Sequence, residues 1–138
     1  MEKTSVLLEV LQEKNNYEEV VDSEPVFINA TLSEYLNELV KTKGLKKAEV
    51  ILQSGLERTY AYQIFSGKKT PARDKLLALA FGMKLTFDEV QNLLKVNGYA
   101  QLYPKKKRDN IIIFAFYKLQ SLWELNDNLF AMGEEIIE

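Results

Sequence analysis

Apolar residues recur at helical spacing along most of the 138-residue chain, in short runs separated by polar turns. The clearest pair of runs lies in residues 45–67, LKKAEVILQSGLERTYAYQIFSG. Leu45, Ala48, Ile51 and Leu52 form the inward set of a first helix, because steps of three and four residues return to one face. A second helix over 57–65 turns Tyr60, Ala61, Ile64 and Phe65 inward and leaves Tyr62 on the surface. Gly55 between the two, and Gly67 after them, stand where a helix C-terminus takes up a positive φ. Two helices about a tight, glycine-containing turn make a helix-turn-helix.

Further helices are predicted on both sides. Thr31 and Glu34 have capping-box spacing and open a helix with Leu32, Tyr35, Leu36, Leu39 and Val40 inward, stopping at Lys43-Gly44. Pro71 precedes a helix over 72–81, which carries Leu76, Leu77, Leu79, Ala80 and Phe81 and is closed by Gly82. Thr86 and Glu89 repeat the capping box for a helix with Phe87, Val90, Leu93, Leu94 and Val96, ending at Asn97-Gly98. Upstream, residues 5–14 are amphipathic, 15–24 are acidic, and Pro25 breaks any helix, so 1–30 reads as an acidic N-terminal arm.

The pattern then repeats. RDKLLALAFGMKLTFDEVQNLLKVNG (73–98) aligns with RDNIIIFAFYKLQSLWELNDNLFAMG (108–133) at a spacing of 35 residues. Arg73-Asp74 meets Arg108-Asp109, Ala80-Phe81 meets Ala115-Phe116, Thr86 meets Ser121, Glu89 meets Glu124, and Gly98 meets Gly133. A repeated helical hairpin implies stacking, because neither copy buries its apolar face alone. The expected fold is all-α: a five-helix helix-turn-helix bundle over 31–98, extended over 99–138 by a C-terminal hairpin of helices 109–118 and 122–132. Phe114, Phe116, Trp123 and Phe130 are expected in the core of that hairpin; the alternative is an exposed dimer or partner surface.

Composition narrows the chemistry. There is no cysteine and no histidine, which removes disulfides, the usual zinc sites and imidazole or thiolate catalysis. No catalytic constellation, metal site or cofactor site is expected, and the chain is read as a non-enzyme. No apolar run approaches the ~18 residues of a membrane span and no leader is evident, so a soluble, cytoplasmic protein is expected. The net charge of −2 conceals a strong pattern. Residues 31–110 hold fifteen bases against eight acids, whereas 1–30 hold two against seven and 111–138 one against five. A basic middle between acidic ends suits a nucleic-acid-binding face. Within it, Lys105, Lys106, Lys107 and Arg108 read as a solvated basic loop, with a phosphate clamp as the alternative.

Leu45, Gly55, Ile64, Gly67, Pro71 and the 76–82 segment together resemble the lambda-repressor/Cro-like, XRE-type helix-turn-helix family, over roughly residues 32–97. The resemblance implies a transcriptional regulator that binds double-stranded operator DNA, commonly as a dimer, with its third helix in the major groove. It implies that Lys47, Ser66, Lys68 and Lys69 touch phosphates, and that Arg58, Thr59, Tyr62 and Gln63 face the bases. Arg58 suits guanine and Gln63 suits adenine, since each side chain makes bidentate contacts to those base edges. The C-terminal hairpin then serves as a homodimer contact or an effector-facing extension. The alternative function is an interaction module that keeps the fold without operator binding. Its support is the acidic total charge, the added hairpin, the bulky Ile51 before the turn, and Glu57 where it would meet phosphate or cytosine.

Overall fold

A computed structural model describes residues 31–138. The chain divides into two units, 1–35 and 36–138; the predicted acidic arm lies outside the described residues. Seven helices and no strands occur among the described residues: α1 Leu32–Thr42, α2 Lys47–Ser54, α3 Arg58–Ser66, α4 Arg73–Gly82, α5 Phe87–Val96, α6 Lys107–Tyr117 and α7 Leu122–Ala131. None of these helices is long and apolar enough to cross a membrane.

Local chemistry sets the helix ends. Thr31 and Glu34 exchange hydrogen bonds at the start of α1, as do Thr86 and Glu89 before α5 and Ser121 and Glu124 before α7. These side chains satisfy amides that have no partner within the helix. Gly55 ends α2 with φ 70°, and Gly67 ends α3 with φ 88°.

Helix α4 is the centre of the bundle, with residues 76–82 all buried. Its most extensive neighbour is α2. Gly82 permits that packing: a Cβ there would lie 2.3 Å from the Val50 carbonyl oxygen, so any side chain would force the two backbones apart. Gly82 is the last residue of α4, where the sequence put the helix end, and its φ is not positive. Lys84, with φ 56°, takes the left-handed position, and the Leu85 amide returns to the Ala80 carbonyl.

The face of α2 also differs from expectation. Val50, Ile51 and Ser54 are buried against the core, while Ala48 is exposed and Leu52 is 66% exposed. Ile51 was assigned correctly and Leu52 was not. A polar residue holds the third inward position because Ser54 Oγ donates to the Ile51 carbonyl at 2.7 Å and accepts from the Leu56 amide at 3.2 Å. A satisfied hydroxyl is tolerated in a core, and apolar spacing alone had favoured leucine.

The repeat is real in three dimensions and longer than its sequence signal. Lys84 and Leu119, 35 residues apart, share a positive φ of 56° and 57°. The Gln91 amide clasps the backbone of Leu102, and the Asn126 amide clasps that of Ile137, each through a donor and an acceptor. Leu102 and Ile137 are buried, so the extended segment after each hairpin belongs to the repeat.

The two copies face one another. Arg73 makes a bidentate pair with Asp109 at 3.0 and 3.2 Å, and Arg108 makes the reciprocal pair with Asp74 at 2.9 and 3.1 Å. Phe81 stacks on its own counterpart, Phe116, with centroids 4.0 Å apart. When residue i of one copy meets j of the other and j meets i, the interface is isologous. The hairpins therefore pair as two equivalent partners within one chain.

Candidate nucleic-acid interface

The turn at Gly55 and the cap at Glu57 aim α3. The Glu57 carboxylate accepts from the Tyr60 amide at 2.8 Å and from the Thr59 amide at 3.1 Å. The Tyr60 amide, then the Thr59 amide, hold its pKa below the usual carboxylate range. Glu57 is thus the N-cap of the helix rather than its first residue, and its charge is turned toward the helix's positive end. Behind it, Ala61, Ile64 and Phe65 are buried and fix the roll of α3 about its axis. Tyr60 is half-buried, with the Lys75 amine 5.9 Å from its ring centroid.

The opposite face of α3 borders an open groove of about 610 Å³. Lys47 from α2, Arg58, Thr59, Tyr62, Gln63 and Ser66 from α3, and Lys68 after it all line this groove. Seven of the eight residues expected to meet DNA therefore share one surface. Lys69 lies outside the groove and is exposed. The amides of Lys68 and Lys69 both donate to the Gln63 carbonyl, which leaves their side chains beside the C-terminus of α3.

Two lining residues were not anticipated, Asn37 and Phe65. The Asn37 side-chain amide donates to the Phe65 carbonyl at 2.8 Å, tying α1 to the last turn of α3. No local pattern marks this contact, because the partners are 28 residues apart. The Phe65 ring lies 5.0 Å below the Lys47 amine, and Tyr62 lies 5.8 Å from the Arg58 guanidinium. Such cation–π contacts restrain long side chains without neutralising them. Three cationic side chains and no acidic one line the groove.

The basic run at 105–108 does not act as one unit. Arg108 is committed to Asp74 and to the Glu135 carbonyl, and the hydrogen bonds it donates to Asp74 raise its pKa against an opposing effect of burial. Lys107 donates to the Met132 carbonyl and lies 3.8 Å from the Glu134 carboxylate. Lys105 and Lys106 are exposed at the N-terminal end of α6. Comparison of the chain with protein-family models, curated proteins and solved structures returns no significant match.

Proposed function

We propose that this chain is a sequence-specific DNA-binding transcriptional regulator that seats α3 in the major groove. The observation that carries this reading is the shared groove: Lys47, Arg58, Thr59, Tyr62, Gln63, Ser66 and Lys68 converge on it, and no acid intervenes. A helix of nine residues is ~13 Å long at 1.5 Å per residue, commensurate with a major groove ~12 Å wide. In this reading Arg58 and Gln63 take purine edges, while Thr59 and Tyr62 pack beside them. Lys47, Lys68, Lys69 and the Ser66 hydroxyl hold the phosphates on either side. Arg58 is pre-oriented by the Tyr62 ring, which reduces the side-chain entropy lost on binding.

Selection of bound fragments from random DNA, followed by a salt titration, tests this. A regulator enriches one sequence, and its affinity falls steeply with salt as phosphate counterions are released. No enriched sequence together with a flat salt response would sink the proposal. The second reading is the interaction module without operator binding, favoured by the exposed aromatic residues of the last hairpin.

A further inference from the structure

The two hairpins are copies of one pattern, so each reveals which side chains the pattern itself requires. Ile112, Leu125 and Leu129 repeat Leu77, Val90 and Leu94, and all six are buried. The outer side of α7 departs from this agreement. Trp123 stands where the first copy has Asp88, Phe130 where it has Lys95, and Met132 where it has Asn97. They are 53%, 79% and 52% exposed, respectively. The first copy folds with polar groups at these three places, so folding does not demand apolar ones. Two large aromatic side chains left exposed on one helix face, Trp123 and Phe130, mark an interaction site.

Trp123 and Phe130 are seven residues apart, two helical turns, and so lie on one side of α7, away from buried Leu125 and Leu129. Asp127 lies between them, and Glu124, Glu135 and Glu138 are also exposed. From Leu119 to the last residue there are five acids and no base; of the cations that fold against this segment, Lys107 pairs with Glu134, while Arg108 and Lys75 reach the backbone carbonyls of Glu135 and Glu138. We infer that the outer face of α7 is a docking surface for a protein segment that is both apolar and basic. Aromatic anchors inside a charged rim are the usual form of an interface hot spot, and the rim's charge selects the partner. A second copy presenting the same face would set acid against acid. The surface begins at the turn that ends α2: a methyl group at Gly55 would lie 4.0 Å from the Trp123 ring. A partner seated there abuts the turn between α2 and α3.

Trp123 is the sole tryptophan, so its emission reports docking directly. The full chain, without DNA, is titrated with a short amphipathic helical peptide of leucine and lysine, and with one of leucine and glutamate. The lysine peptide is expected to shift the Trp123 emission, with affinity weakening as salt rises, and the glutamate peptide is expected to leave it unchanged. Phe130→Lys, which installs the first copy's residue, is expected to raise the dissociation constant about tenfold while preserving the melting temperature. Equal responses to both peptides, a response to neither, or unchanged binding by Phe130→Lys would overturn the inference. Sedimentation of a dimer that Phe130→Lys converts to monomer would also overturn it, by assigning the face to a second copy.

Discussion

Arg58 and Lys68 line the same groove, yet chemistry separates their roles. Arg58 presents a planar fork fixed over Tyr62, suited to two acceptors on one base. Lys68 is a mobile point charge beyond the helix. Under the proposed function, Arg58→Ala is expected to weaken the preferred site by ~1–3 kcal/mol and random DNA much less. Lys68→Ala is expected to weaken all sequences alike and to reduce the salt slope by about 1. Parallel binding titrations on selected and random DNA check both, and equal losses for Arg58→Ala would remove it as a base reader. Glu57 has a different task. Its folded pKa is depressed, so its contribution to stability is present above the unfolded value and is lost as pH falls through the folded one. Glu57→Ala is therefore expected to lower the melting temperature at neutral pH, with the gap closing in strong acid. Melting curves across pH decide this, and a gap that persists at low pH would show that the cap does not act through its charge.

Among the helices, the crossed ion pairs between α4 and α6 look equivalent but are not. The Asp109 side chain is 7% exposed, whereas that of Asp74 is 36% exposed. Burial pushes the Asp109 pKa up, but hydrogen bonds from Arg73 and the Tyr103 amide, with the charges of Arg73 and Lys106, more than reverse this. Arg73 also donates to the carbonyls of Ala100 and Gln101, so it fastens the segment leading into α6. Arg73→Ala leaves a buried carboxylate without its cation and is expected to destabilise by about 3 kcal/mol. Arg108→Ala leaves a more solvated one and is expected to lose about 1 kcal/mol. Urea denaturation of the two variants measures the difference; equal losses would mean that burial does not set the value of these pairs. The Asp109 contribution has the same pH sense as that of Glu57, present above the unfolded pKa and lost in acid.

For the molecule as a whole, the second hairpin takes the position that a second subunit would occupy in an isologous dimer. It covers the Phe81 ring and completes the pairs of Arg73 and Asp74. A chain ended after Tyr103 is expected to melt at a much lower temperature or without a cooperative transition, since losing the Phe116 ring alone removes ~3–5 kcal/mol of packing. Calorimetry of the shortened chain checks this, and an unchanged transition would show that the hairpins are independently stable. The charge pattern belongs to the same scale. Acidic α7 and the cationic groove are separate surfaces, so one chain can offer an anionic partner and a cationic partner different faces.

By itself the sequence determined what depends on residues within about one helical turn of each other. The capping boxes, the glycines at the ends of α2 and α3 and the inward set of α3 follow from such short-range chemistry, and the hairpin repeat is the recurrence of those local signals 35 residues on. The family resemblance carried by Leu45, Gly55, Ile64, Gly67 and Pro71 pointed to seven groove residues, five of them on the face of α3 opposite its buried one. Tertiary structure decided what depends on neighbours far along the chain. It exposed Leu52 and buried Ser54, because the backbone of α4 at Gly82 selects the side of α2 that faces it. It brought Asn37 to the groove through Phe65, divided the basic run by binding Arg108 to Asp74, and paired the hairpins face to face instead of simply stacking them. It also left Trp123 and Phe130 outside the core to which apolar character had assigned them. Hydrophobicity is a property of a side chain, but burial is a property of what folds against it.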